Sequence, residues 1–236
     1  MLVANMATFP ARIDIIPFVI ESLSPQVDKI NLCLNEFREI PKGLAKYSNL
    51  NIVLPSQDYK DVGKFIHNVD DEDDVILVDD DIIYPDDYVV RLKCFYEKFL
   101  HLNVVVGSHG VIYPDLYDGS VQARKVFAFK HALARSRVVN QLGTGTVFLK
   151  GRQIPPLDYM DLSQRFVDVR FSRWQFEHGT SLICIPRESG WLKEINLDET
   201  IFSDFTSRWP VEVVKEVQTI CGYSKLNLNV VSKVEF

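Results

Sequence analysis

The chain has 236 residues, 47% of them hydrophobic, and carries a formal charge of -6 from 26 basic and 32 acidic side chains. That length can bury a substantial core in one large α/β domain, and the acidic balance offers no overall positive field to a nucleic-acid backbone. No run approaches the roughly 20 apolar residues of a spanning helix and no basic-then-apolar leader opens the chain, so neither a membrane span nor a secretory leader is expected.

In chain order, residues 2–6, 29–34, 51–54, 75–78 and 104–106 are short apolar runs that read as buried strands, separated by amphipathic stretches. This alternation predicts an α/β chain built on a Rossmann-like, mainly parallel sheet flanked by helices. Pro85-Asp86-Asp87 signals a helix start, and Val89, Leu92, Phe95 or Tyr96, and Phe99 would form its apolar face. The polar segment 113–122 gathers Pro, Gly, Asp and Ser and reads as a mobile loop. Further strands are expected at 125–129, 138–141, 146–149 and 182–185, with helices over about 163–177 and from Pro210 onward, where Val213, Val214, Val217 and Ile220 keep a helical period. Cys33, Cys94, Cys184 and Cys221 are widely spaced, which fits reduced thiols and the cytoplasm.

The chemistry concentrates where the strand at 75–78 runs into Asp79, Asp80 and Asp81. Open α/β sheets bind ligands at the carboxyl ends of their strands, and clustered carboxylates need a compensating charge. A hard cation, Mn²⁺ or Mg²⁺, takes one or two carboxylates together with diphosphate oxygens. Asp79 and Asp81 are the candidate metal ligands, and Asp79 and Asp80 candidate donor contacts; the plainer alternative is a turn of solvated acids or a helix cap. The preceding acids, Asp70 to Asp74, read as a solvated loop.

Two more loops follow strands of the same sheet. Thr8, Phe9, Pro10 and Arg12 combine a turn, an aromatic face for a base and a cation for phosphate. Asp61 and Lys64 offer an acceptor for a uracil edge and a second phosphate contact, although each loop alone also suits an ordinary turn. Gly143, Thr144 and Gly145 suit close approach of backbone to a sugar, or a plain turn. His109 reads as a phosphate contact or a structural histidine. Asp168 either faces the cleft or pairs with Arg165 or Arg170, and spacing alone favours the pair.

These segments carry a family resemblance. Nearly the whole chain resembles the KfiA-type heparosan-capsule α-N-acetylglucosaminyltransferases of bacteria, most closely over residues 27–37, 58–65, 79–85, 138–150 and 163–173. The resemblance implies a single GT-A glycosyltransferase domain over 1–236, with about 1–106 binding the nucleotide-sugar and about 107–236 the acceptor. It implies transfer of N-acetylglucosamine from UDP-GlcNAc to the non-reducing glucuronate end of a heparosan oligosaccharide, in α-1,4 linkage and with retention. It also implies a companion glucuronosyltransferase and a cytoplasmic enzyme held peripherally at the inner membrane through partner proteins. A more distant similarity to the exostosin-like GlcNAc transferases of animals covers the Asp-rich turn, the Gly-Thr segment and the region of Asp168. It places Asp168 at the reacting centre, as catalytic residue and acceptor contact, against the preference from spacing, and it nominates Arg208 for the donor diphosphate. Front-face substitution is the preferred mechanism and double displacement through Asp168 the runner-up. The competing readings are a transferase for another UDP-sugar and a catalytically silent sugar-nucleotide-binding subunit of a capsule assembly.

Overall fold

The first apolar run forms strand β1 (Leu2–Thr8), and the next pieces follow as helix α1 (Ile16–Leu23), β2 (Lys29–Leu34), β3 (Leu50–Val53) and β4 (Asp74–Val78). The chain continues through β5 (Ile82–Ile83), α2 (Tyr88–Lys98), β6 (Val104–Gly107), β7 (Gly110–Ile112), β8 (Lys125–Phe127), β9 (Arg137–Val139), β10 (Gln141–Leu142) and β11 (Thr146–Lys150). The remaining elements of the described residues are α3 (Leu157–Met160), α4 (Val167–Glu177), β12 (Ser181–Cys184), β13 (Lys193–Glu194) and α5 (Val211–Ile220). This computed structural model describes residues 1–195 and 209–221.

Eight strands make the main sheet, in the order β3-β2-β1-β4-β11-β6-β12-β9. Neighbours from β3 to β4 are parallel, β11 opposes both β4 and β6, β12 runs with β6, and β9 opposes β12. The architecture is therefore α/β with a mixed sheet, most of whose strands share one direction. Parallel neighbours need crossovers, and α1 supplies one by burying Ile16, Val19, Ile20 and Leu23 at helical spacing. Each such side chain contributes roughly 1.5–3 kcal/mol on burial, which outweighs the missing side-chain cap at the helix start.

Alternation along β4 divides the core: Ile76 and Val78 join the cluster under α1 and α2, while Val75 and Leu77 join the one on the other face with Phe65, Val147 and Phe171. Polar residues also mark the register. Asn5, Asn31 and Asn51 lie opposite one another on β1, β2 and β3; Asn31 Nδ2 donates to Asn5 Oδ1 at 2.9 Å and Asn51 Nδ2 to Asn31 Oδ1 at 2.8 Å.

Several sequence expectations need correction. Pro85 to Asp87 form the turn before the helix, which opens at Tyr88 with Asp87 at the N-cap position; the Asp87 carboxylate accepts the Trp191 indole N–H at 2.8 Å and makes no capping bond. Of the pair Phe95 and Tyr96, Tyr96 is the buried one, and Tyr88 adds a second buried aromatic to that helix. The helix expected from about 163 starts at Val167, since Leu162 and Arg165 adopt φ of 65° and 74°, in the left-handed region that breaks a helix. The single strand expected over 138–141 is divided between β9 and β10 at Asn140, whose side chain donates to the carbonyls of Ile220 and Cys221 at 2.7 and 2.9 Å.

The acidic run 70–74 is not uniformly solvated. Asp73 accepts the Met1 amino group at 2.6 Å, and Asp74 pairs with Lys93 and Lys150, each at 2.6 Å. The segment expected to be a mobile loop is anchored by buried Tyr113 and Tyr117, whose rings meet edge-on at 4.9 Å. All four cysteines are free thiols. No helix among the described residues is long and apolar enough to cross a membrane.

Candidate active site

Antiparallel pairing brings the end of β4 against the start of β11, with Val78 opposite Thr146. The turn of aspartates that leaves β4 therefore adjoins the Gly143-Thr144-Gly145 segment that enters β11. Gly145 leaves room there for the aspartate, because a Cβ on it would lie 1.9 Å from Asp79 Oδ2 and displace that carboxylate. The Tyr84 hydroxyl sits behind the same junction, accepting the Asp79 N–H at 2.9 Å and donating to the Gly145 carbonyl at 2.7 Å.

Lys64 comes from a 3-10 helix, Lys60–Phe65, packed over the ends of β1 and β2. Gly63 permits that packing, since a Cβ there would come within 2.8 Å of Cys33 Sγ. The Lys64 side chain is 3% exposed, and its ammonium donates to Asp79 Oδ1 at 2.6 Å and to Thr144 Oγ1 at 3.4 Å. On the far side of Thr144 stands Asp168, in the first turn of α4, whose Oδ1 accepts the Thr144 N–H at 2.8 Å and hydroxyl at 2.7 Å. Asp79 and Asp168, distant in sequence, thus share one lysine–threonine junction.

The other candidates border this junction. Thr8 is buried at the end of β1, Phe9 is partly exposed beyond it, and Pro10 opens a 3-10 helix that ends at Arg12. The Arg12 guanidinium lies over the Phe9 ring at 5.5 Å and reaches Asp81 Oδ2 at 3.5 Å. Asp61 accepts the Arg165 N–H on both oxygens at 3.1 Å, so its carboxylate supports the turn before α4. Gly143 donates its N–H to the His109 carbonyl at 2.9 Å. His109 is pushed down to about 4 by burial and by the Arg187 charge, and so meets any ligand as a neutral ring.

Asp168 pairs with neither arginine proposed from spacing. Arg170 instead engages Glu216 on α5, with Nη2 donating to Oε2 at 3.0 Å, and Arg165 presents its backbone amide to Asp61. Arg208 lies outside the described residues.

Carboxylates outnumber cations here, and the acids respond. Burial, then repulsion from Asp79 and Asp80, pushes Asp81 up to about 7. Burial also pushes Asp61 up to about 6 and raises Asp80 and Asp168. Burial opposes the charge on Lys64, but Asp79 more than restores it, leaving that amine raised. Asp80 Oδ2 is buried without a hydrogen-bond partner.

This donor set suits a hard divalent cation: the oxygens are carboxylate, negative charge is in excess, and one buried oxygen is unpartnered. Among the described residues no three His, Cys, Asp or Glu side chains are arranged to hold a metal together. Mn²⁺ or Mg²⁺ fits such a site in the mode that uses one or two carboxylates with substrate phosphate oxygens.

Sequence reasoning missed two residues that shape the site. Tyr84 is one; the other is Asn35, whose side chain accepts the Tyr59 N–H at 3.0 Å and donates to the Lys60 carbonyl at 2.9 Å, fixing the loop that delivers Lys64. Their signal is position, since each is a polar group just beyond a strand end. No family model matches this chain, and no curated protein matches it.

Proposed function

We propose that this chain is a metal-dependent GT-A glycosyltransferase that moves N-acetylglucosamine from UDP-GlcNAc to the glucuronate end of a growing heparosan chain, with retention of configuration. The observation that carries the reading is the junction of Asp79, Lys64, Thr144 and Asp168 at one sheet edge. Each of these residues lies in a segment that resembles the heparosan-capsule transferases, and the sheet edge is where α/β folds bind nucleotides.

In this reading Phe9 stacks on the uracil while Arg12 and Lys64 face the diphosphate, offering fixed positive charge as the leaving group gains negative charge. When bound at Asp79 and Asp81, the cation supplies Lewis-acid stabilisation of that diphosphate. Gly143 and Gly145 let the sugar approach the backbone. Thr144 holds Asp168 Oδ1 with two hydrogen bonds, which leaves Oδ2 for the anomeric centre or the acceptor hydroxyl. The acceptor hydroxyl then enters on the face that the phosphate leaves, and the phosphate takes its proton. A companion glucuronosyltransferase in the cytoplasm, at the inner membrane, would add the alternating sugar.

The test is incubation with UDP-GlcNAc, Mn²⁺ and a glucuronate-ended oligosaccharide, read by mass spectrometry. One added N-acetylhexosamine supports the proposal. Transfer from a different UDP-sugar keeps the fold reading and replaces the substrate. UDP binding without turnover on any donor overturns the enzyme in favour of a silent sugar-nucleotide-binding subunit.

A further inference from the structure

Beyond Val78 and Thr146 the ladder between β4 and β11 stops, and the next backbone groups, the Asp79 N–H and the Gly145 carbonyl, do not bond each other. The Tyr84 hydroxyl stands between them, accepting from the first at 2.9 Å and donating to the second at 2.7 Å. A phenol inserted into a strand pair holds the strands apart by the width of one oxygen while satisfying both groups, so it acts as a spacer as well as a link. Tyr84 is fully buried, and its ring packs on Tyr88 at 4.6 Å, which in turn packs on Trp191 at 5.6 Å. The hydroxyl therefore has a rigid mount.

The separation it sets is functional. Asp79 carries a carboxylate of the Asp-rich turn, and Gly145 follows Thr144, which holds Asp168. Moving either backbone changes the offset between the two carboxylates across the junction. Asp79 Oδ2 occupies the space that a Cβ on Gly145 would need, so the two segments are in direct contact at this point.

We propose that Tyr84 is a positioning residue, whose hydroxyl fixes the Asp79 backbone from which that carboxylate reaches the cation and registers the donor side of the site against Asp168; this rests on the glycosyltransferase reading above. Neighbouring Tyr88 provides the matched comparison. Its hydroxyl is equally buried but has no hydrogen-bond partner, so Tyr88→Phe deletes the same atom from the same aromatic stack without touching Asp79.

The experiment measures Mn²⁺ affinity in the presence of UDP, by paramagnetic resonance of the free ion, for wild type, Tyr84→Phe and Tyr88→Phe, with a thermal melt of each. The expected result is a loss of about 10–100-fold in Mn²⁺ affinity for Tyr84→Phe, the usual size for a group that orients a metal ligand, and none for Tyr88→Phe. Equal affinity in wild type and Tyr84→Phe overturns the positioning role while leaving the functional reading in place. A wild type that binds no Mn²⁺ with UDP overturns the functional reading itself. Amide exchange of the wild type provides an arm that needs no variant: the Asp79 N–H should exchange as slowly as the β4 amides, and rapid exchange there overturns the clamp.

Discussion

Gly145 and Asp79 adjoin so closely that the missing side chain of one is the space occupied by the carboxylate of the other, with 1.9 Å between a built Cβ and Oδ2. The absence of a side chain at Gly145 is therefore part of how Asp79 is aimed.

Gly145→Ala should displace the Asp79 carboxylate and leave the fold standing, because that side chain is 43% exposed and can rotate away. Turnover is expected to fall by on the order of a hundredfold, with a stability cost of about 1–3 kcal/mol for the overpacked turn. Kinetics alongside a thermal melt checks this, and wild-type turnover in Gly145→Ala would contradict the placement of Asp79.

Asp81→Ala, and to a lesser degree Asp79→Ala, should abolish metal-dependent turnover, and a chelator should do the same to the wild type. Retained activity of both variants in metal-free buffer would remove the cation from the mechanism.

Lys64→Met and Arg12→Met are expected to weaken UDP binding by a contact worth roughly 1.5–3 kcal/mol each, measured by calorimetry. Lys64→Met should in addition lower the melting temperature, since it strands Asp79 and Asp168 beside a buried apolar chain. Unchanged UDP affinity in both would move the donor site elsewhere.

Asp168→Asn keeps an oxygen to accept from Thr144 but removes the charge. UDP affinity should stay near wild type while turnover falls by on the order of a hundredfold or more. Turnover within a few-fold of wild type, with folding verified by circular dichroism, would return Asp168 to a bracing role at Thr144.

Asp61 gives a pH signature. Its carboxyl titrates at about 6 in the folded chain against an ordinary 3.8, so the native state binds its proton more readily than the unfolded state. Ionised Asp61 therefore takes stability away above about pH 6 and takes none below about pH 4. Asp61→Asn should be more stable than wild type at pH 7.5, on the order of 1–3 kcal/mol, with the difference vanishing near pH 4. Melts across that range decide it, and a constant difference would show that burial of this carboxylate is not what shifts it.

The strands of the first half were legible because each is a short, largely apolar run, with β1, β2 and β4 buried on both faces so that alternation is erased, and the ends of those strands pointed to the Asp-rich turn and to Lys64. Thr144 stands out from the composition of its Gly-Thr segment and Asp168 from the family resemblance, without anything bringing the two together. Spacing on a helix ranks Arg165 and Arg170 as partners of Asp168, but the left-handed turn at Leu162 and Arg165 rotates the helix start, and Arg170 is drawn to Glu216. Tyr84 escaped notice because a tyrosine after a strand ordinarily reads as core. Its meaning depends on which backbone groups the opposing strand leaves unpaired, a property of the sheet and not of the sequence around it. The composition of 113–122 marked a loop but not the burial of Tyr113 and Tyr117 at its start and middle.

The row of amides formed by Asn5, Asn31 and Asn51 bears on how the sheet assembles. Three apolar parallel strands would attract one another in many alignments, since oily side chains match almost any oily neighbour. A buried amide is less tolerant, and Asn5 and Asn31 are buried whereas Asn51 is exposed: slide β1 against β2 by a single residue and an amide turns toward the opposite face, abandoning a partner that cannot reach water. The Asn5–Asn31 pair thus disfavours near-miss alignments of β1 with β2, which sets how the loops at the ends of those two strands meet the Asp-rich turn.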